Sequence, residues 1–247
     1  MKNKVYIVLP TYNEELSIGK LLQRIDKHMT TFGINYQVIV VNDGSQDKTL
    51  EVVQELQEIY PIEILNHAVN MGLGCTIRDG LYHASNISNA EDIVITMDAD
   101  DTHTPGLILR MNRMIQEGFD VVIASRYQPN SRVIGLTFIR KLYSFVASWI
   151  FRILLPIKGV KDFTCGFRAF RASVLHQAMD RYQSSFIDQE GFQSMVDILL
   201  KLRKIDGIIF GEVPFILRYD LKEGRSKMDI RKTILNTIKL IVKRRLT

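Results

Sequence analysis

The feature that most constrains this chain is the alternation of its first half between short β-branched apolar runs and stretches of helical period. Val5–Leu9, Gln37–Val41, Ile62–Leu65, Ile93–Met97 and Val121–Ala124 read as buried strands. Glu15–Thr31, Lys48–Ile59, Cys75–Ala84 and Pro105–Glu117 read as the helices between them, with Pro105 suited to a first helical turn. Parallel neighbours need a crossover, and crossovers are right-handed, so the alternation predicts an α/β domain built on a mostly parallel sheet. Ligands of such sheets bind at the carboxyl ends of the strands. Polar clusters fall there: Thr11-Tyr12-Asn13-Glu14, Asn42-Asp43-Gly44-Ser45 and Asp98-Ala99-Asp100-Asp101.

Beyond residue 125 the pattern changes. Leu142, Phe145, Val146, Trp149, Ile150, Ile153 and Leu154 keep helical spacing and predict a helix over about Arg140–Leu155. A polar loop (Lys161–Arg168), a helix (Phe192–Arg203), a strand (Ile208–Phe215) and a basic tail follow. No linker or repeat interrupts the 247 residues, so the expectation is one α/β domain over 1–229 and a basic amphipathic tail over 230–247. The net charge of +5 permits anionic partners without identifying nucleic acid, and no aromatics interleave with the basic residues as a stacking platform requires. Cys75 and Cys165 stand far apart without metal-ligand spacing, which suits a reducing compartment. No signal-peptide pattern opens the chain, and its greasiest stretch, Ile134–Ile157, is broken by Arg140, Lys141 and Arg152 short of the ~20 residues of a spanning helix.

Three short motifs can carry chemistry. Asp98 and Asp100 lie two apart at a strand end, which on a strand sets them on one side about 6.6 Å apart. Carboxylates so placed repel unless a cation lies between them, and Mg²⁺ or Mn²⁺ takes such oxygen ligands while sharing them with phosphates. The alternatives are a solvated turn, or Asp101 or Thr102 capping the Pro105 helix. Asp43-Gly44-Ser45 offers a carboxylate to a ribose or base, or is a plain turn. Asn70-Met71-Gly72-Leu73-Gly74 is a helix-entry loop near phosphate, or another turn; it lacks the third glycine of a dinucleotide fingerprint.

Taken in order, Pro10-Thr11-Tyr12-Asn13-Glu14, Asn42-Asp43-Gly44-Ser45, Asn70-Met71-Gly72 and Asp98-Ala99-Asp100 resemble the nucleotide and metal motifs of family 2 glycosyltransferases with the GT-A (Rossmann-like) fold. Ser125-Arg126-Tyr127, Asp162 through Arg168, and Glu212-Val213-Pro214 through Arg218 to Gly224-Arg225-Ser226-Lys227-Met228 narrow the resemblance to polyprenyl-phosphate (dolichol-phosphate) mannose synthases. The resemblance implies that Pro10, Tyr12, Glu14 and Asp43 hold base and ribose, with Gly72 and Ala99 lining the same donor site. Asp98 and Asp100 would bind the metal under the diphosphate. Arg126, Arg140 and Ser144 would meet the acceptor phosphate, and Arg218, Ser226 and Lys227 would clamp phosphates. The chain departs from the pattern twice: Thr102 stands where relatives often carry a third metal ligand, and Asp197 replaces the usual late-helix glutamate, with Asp188 and Glu190 nearby.

The physics of the residues agrees. Arg140 and Ser144, one helical turn apart, can grip a phosphate together. Catalysis is expected from Asp98, Asp100, Arg126 and Asp197. The donor implied is a nucleotide-diphosphate sugar, GDP-mannose first and UDP-glucose next; the acceptor is a polyprenyl phosphate at the cytoplasmic surface of a membrane. The apolar stripe of the 140–155 helix, and the tail stripe Ile234, Leu235, Ile238, Ile241 and Val242 among basic residues, either pack on the protein or lie in a lipid interface. Two other functions stay open: transfer to a saccharide hydroxyl, or a non-catalytic subunit of a membrane glycosylation complex.

Overall fold

The computed structural model describes residues 3–189, 191 and 193–223, with the side chains of 138–143 and 147 left aside. A seven-stranded sheet forms the centre. In chain order its first strands are β1 (Val5–Thr11), β2 (Tyr36–Asp43), β3 (Ile62–His67), β4 (Ile93–Thr96) and β5 (Val121–Ser125). β1 pairs in parallel with both β2 and β4, and β2 with β3. The connecting helices are α1 (Ile18–Thr31), α2 (Thr49–Gln57), α3 (Leu73–Ile87) and α4 (Leu107–Gln116). α1 buries Ile18, Leu21, Leu22, Ile25 and Met29, the i, i+3, i+4, i+7 face that its sequence prescribes. α3 lies close on the sheet because residue 80 is glycine: a Cβ there would stand 2.4 Å from Cγ1 of Val8. The mostly parallel sheet expected from the alternation is the one observed.

The second half adds β6 (Arg132–Ile134), α5 (Phe138–Leu154), β7 (Arg168–Arg171), α6 (Ala172–Tyr182), α7 (Gln193–Leu202), β8 (Phe210–Pro214) and β9 (Ile216–Arg218). β7 runs antiparallel between β4 and β5, and β8 extends the sheet in parallel beyond β5. β6 and β9 form a separate two-stranded ribbon. The sequence pattern predicts α5, α7 and β8, but not β7 or α6. Arg-Ala-Phe-Arg, charged at both ends, does not read as a central strand. Tertiary contacts make it one: Arg168 is fully buried and donates to the carbonyls of Met195 and Phe163, while Arg171 pairs with Asp120. β7 aligns Arg168 with Thr96 of β4, so the loop 162–167 comes down beside the carboxyl end of β4.

Candidate active site

The loops after β1, β2 and β4 are sewn together at the carboxyl edge of the sheet. Asn13 receives from the amide of Gln46 at 2.8 Å and gives its own amide to Ser45 Oγ at 3.0 Å. The Glu14 amide donates to Thr49 Oγ1 at 2.7 Å. Ser17 joins this loop to the next, its hydroxyl lying 2.9 Å from the Glu14 carboxylate and 3.2 Å from the Ala99 carbonyl. Asp43 is buried, and the amides of Met71 and Gly72 donate to its two oxygens at 2.8 and 2.9 Å. His67 bridges Asp43 and Asp79 through its two ring nitrogens, at 2.9 and 3.1 Å. The Asp43 carboxylate therefore shapes the 70–72 loop. Gly44 makes that possible: at φ +66°, a Cβ would stand 2.5 Å from the Val69 carbonyl carbon.

The acidic pair follows in the next loop. β4 ends at Thr96, so Asp98 and Asp100 lie in a turn rather than on the strand, and their placement does not come from strand alternation. Asp101 turns the chain in the left-handed region at φ 57°. Asp100 accepts from the amide and hydroxyl of Thr102 at 3.2 and 2.7 Å. Neither Asp101 nor Thr102 caps α4, whose N-cap is Gly106. Asp98 rests on buried His103: its amide donates to Nδ1 at 3.1 Å, which leaves the ring proton on Nε2, 3.5 Å from Asp98 Oδ2. His103 is itself stacked on Phe167 and edged by Phe215. Gly166 gives the carboxylate room, for a Cβ there would lie 3.2 Å from Asp98 Oδ1.

Asp98 keeps 44% of its side-chain surface open in this recess. The reduced hydration of the recess raises its carboxyl above the usual range, the Asp100 charge raises it further, and His103, Lys222 and Arg126 draw it back. Burial would raise Asp100 too, but Lys222, His103 and the bonds from Lys222 and Thr102 hold it below that range. Whether the pair suits a divalent ion can be judged from this chemistry. Among the described residues no cluster of three His, Cys, Asp or Glu side chains gathers for a metal. What gathers is two mutually repelling carboxylates beside a hydroxyl, with an ammonium, Lys222, already serving Asp100 as counter-cation. Such a set fits Mg²⁺ or Mn²⁺ completed by phosphate oxygens, and it does not make a closed site on its own.

Across the recess the charges are paired. Arg126 forks onto Asp162, Nε to Oδ2 at 2.8 Å and Nη2 to Oδ1 at 2.7 Å, and its amide adds a third bond at 3.0 Å. Asp162 is fully buried, yet Arg126 and the surrounding amides hold its carboxyl below the usual range. Arg126 and Arg152 lie on the Tyr127 ring at 5.6 and 5.4 Å, and the Tyr127 hydroxyl meets Ser144 Oγ at 2.7 Å. Arg126, Tyr127, Ser144 and Arg152 thus share one corner, whose guanidinium still acts on Asp98.

The chain matches the model of glycosyl transferase family 2 over residues 6–178. It belongs to that family. It is 34% identical to the dolichol-phosphate mannosyltransferase of Pyrococcus furiosus over 239 residues, covering 96% of this chain and 62% of that protein. The chain therefore spans under two thirds of that relative. It is 27% identical to the polyprenol monophosphomannose synthase of Mycolicibacterium smegmatis, over 91% of this chain and 81% of the relative. Among solved structures it is similar to the glucosyl-3-phosphoglycerate synthase of Mycobacterium tuberculosis in complex with Mn²⁺, uridine diphosphate and phosphoglyceric acid. That likeness has a TM-score of 0.72 at 18% identity, over 98% of this chain and 78% of that one, and it bears on fold alone.

For this family 2 chain the structure sorts the expected site residues. Tyr12, Glu14, Asp43, Gly72, Asp98, Ala99 and Asp100 lie in the sewn loops, and Pro10 leads into them from β1. Arg126 and Ser144 meet in one corner through Tyr127. Arg218 is paired with Asp220 at 2.9 Å, beside the β4 loop. Asp197, expected among the catalytic residues, is 1% exposed in α7, and its carboxylate meets the Lys201 ammonium at 2.6 Å. Asp188, on the same ammonium at 3.1 Å, is the member of that group nearer the surface. Arg140 lies in α5 without a described side chain, and Glu190, Ser226, Lys227 and the 230–247 tail lie outside the described residues. Sequence reasoning missed His103, Asp162, Tyr127 and Lys222. Asp162 and Tyr127 stood within quoted motifs; His103 and Lys222 carried no local signal.

Proposed function

We propose that this chain transfers a hexose, mannose before glucose, from a nucleotide-diphosphate sugar to a polyprenyl phosphate at a membrane surface, with inversion. GDP-mannose is the first choice of donor and UDP-glucose the second. The observation that carries the reading is that the loop 162–167 sets Gly166 against Asp98 while its Asp162 holds Arg126, so the acidic pair and the Arg126 corner adjoin and two anions can be brought together there. The two relatives named for mannosyl transfer to lipid-phosphate acceptors support the choice of substrate.

The donor's base and ribose lie against the sewn loops, which Asp43, His67 and Ser17 hold in shape. Asp98 and Asp100 would hold a divalent ion, which supplies positive charge at the departing diphosphate. His103 keeps Asp98 aimed into the recess. On the other side, Arg126, held in one orientation by Asp162, offers its remaining guanidinium surface to the acceptor. A phosphomonoester is largely a dianion at neutral pH and already nucleophilic, so the residues need only reduce repulsion and align it, not remove a proton. One displacement at the anomeric carbon inverts it.

The membrane part of the proposal rests on α5. Phe145, Trp149, Ile150 and Ile153 are exposed on it, with Trp149 at 57%. Among the described residues no helix is long and apolar enough to cross a membrane. An amphipathic helix with an uncovered Trp/Phe/Ile face lies in the lipid interface, which puts the acceptor corner beside the lipid; we place that surface on the cytoplasmic side. The test is a competition between a short-chain polyprenyl phosphate and an oligosaccharide as acceptors, with each sugar nucleotide and Mn²⁺. Product on the lipid phosphate alone, reduced at least tenfold in Arg126→Lys, is expected. Product on the saccharide alone would contradict the acceptor assignment.

A further inference from the structure

The segment after β9 runs back over the carboxyl end of β4. The Arg218 amide anchors it there, donating to the Thr102 carbonyl at 3.0 Å. Its charges are paired: Arg218 with Asp220, Glu223 with Lys20 of α1 at 2.7 Å, and Lys222 with Asp100. These pairs differ in enclosure. Lys20 and Glu223 side chains are 62% and 40% exposed, whereas Lys222 and Asp100 are 13% and 10% exposed. An open pair contributes little and is screened by salt; an enclosed one keeps most of its attraction. The Tyr219 ring lies 5.7 Å from the Lys222 ammonium and holds it from a second side.

This step rests on the reading of Asp100 as a metal ligand. We propose that Lys222 is a resident cation on Asp100, which the divalent ion must displace before the donor site is complete. Oδ1 of Asp100 accepts twice from Thr102, and Oδ2 accepts from Lys222. A divalent ion on Oδ2 would stand beside the ammonium, and repulsion between the two positive charges drives the ammonium off. Its departure removes an enclosed anchor of the strap from Arg218 to Glu223, while the exposed pairs and the Arg218 amide remain. Loading of the donor side thereby loosens the element that carries Arg218 and Lys222, and both cations become available to a second anion. The arrangement orders the two substrates, nucleotide side first.

A resident competitor weakens apparent metal affinity by the reciprocal of the fraction of molecules in which the carboxylate is open. The test measures Mn²⁺ binding without nucleotide, by the electron paramagnetic resonance of free Mn²⁺, on the wild type, Lys222→Met, Lys20→Met and Asp100→Asn. Lys222→Met is expected to bind roughly tenfold more tightly than the wild type. Lys20→Met removes the same charge from α1 without touching Asp100, and should stay within about twofold of the wild type. Hydrogen exchange across 218–223 should quicken in the wild type when Mn²⁺ is added. Equal affinity of wild type and Lys222→Met, or an equal gain in Lys20→Met, overturns displacement while leaving the metal reading intact, and so does unchanged exchange. Binding that Asp100→Asn does not weaken, or no binding in any variant even after a nucleoside diphosphate is added, sinks the metal reading and this proposal with it.

Discussion

The two sides of the recess hold their charges by different means. On the donor side, Asp43 is held by the main-chain amides of Met71 and Gly72, and Asp98 keeps 44% of its side-chain surface open beside His103. In the Arg126 corner a fully buried carboxylate meets its opposite charge: Asp162, which also accepts from the amides of Arg126, Thr164 and Cys165, is forked by the Arg126 guanidinium. An amide-held carboxylate is part of a turn, so its function can change while the turn survives. A buried ion pair is stable only as a pair, because either member alone is an uncompensated charge in a poorly hydrated place. The donor side should therefore lose activity before stability, and the acceptor side the reverse.

The largest expected effect breaks the acceptor side. Asp162→Asn strands the Arg126 guanidinium and should cost about 3–5 kcal/mol in urea unfolding. The pH dependence follows the same residue. The folded carboxyl titrates below its unfolded value, so the pair's contribution is complete above the ordinary aspartate range and fades as pH falls through the folded value. Acid unfolding should be steep in the wild type and flatter in the variant; a loss under about 1 kcal/mol would place Asp162 with the donor-side carboxylates.

Asp98→Asn, at the open carboxylate of the donor side, sharpens the contrast from the other side. Transfer should fall about 100-fold or more, while the folded state persists and still binds nucleotide weakly. Collapse of the fold in this variant would erase the distinction. A smaller effect concerns the surface of the acceptor half. Replacing Phe145 and Trp149 by Ser should lower association with anionic vesicles at least tenfold, since each large side chain gains about 1.5–3 kcal/mol on full burial. Melting temperature and turnover of a short, soluble acceptor should hardly change. Unaltered co-sedimentation would remove α5 from the lipid contact.

The smallest effect compares the two thiols. Cys165, buried beside Asp162, is pushed up to about 12, chiefly by burial and then by that carboxylate. Cys75, half-buried on α3, should react first with a thiol reagent at neutral pH, and Cys165 only as the acceptor half opens. Equal rates would mean that the Asp162 pocket opens readily.

The same contrast explains what could be seen in the sequence. The donor half follows local rules: β-branched runs, helical periods, and turn residues such as Gly44 at strand ends. Asp43, Asp98 and Asp100 could be picked out because each stands where an apolar run stops. The acceptor half is written in pairs distant along the chain. Asp162 finds Arg126 and Arg168 finds the Met195 carbonyl; on the donor side only Lys222, which finds Asp100, is so distant a partner among those named. No local period announces such partners, which is why Arg168–Arg171 does not read as a strand and why the Lys201 partner of Asp197 is not visible in the sequence. The spacing of Asp98 and Asp100 also looked like strand geometry, although a left-handed turn at Asp101 sets the end of that loop.

The claim on which the rest depends is that one divalent ion at the end of β4 lets a diphosphate share the recess with Arg126. Calorimetric titration of GDP and of UDP, each with Mn²⁺ and with chelator, into the wild type and the Asp98→Asn, Asp100→Asn double variant measures it directly. Tight, one-to-one binding of one nucleotide that vanishes both with chelator and in the double variant is the predicted result. Binding of equal strength under all four conditions would contradict it.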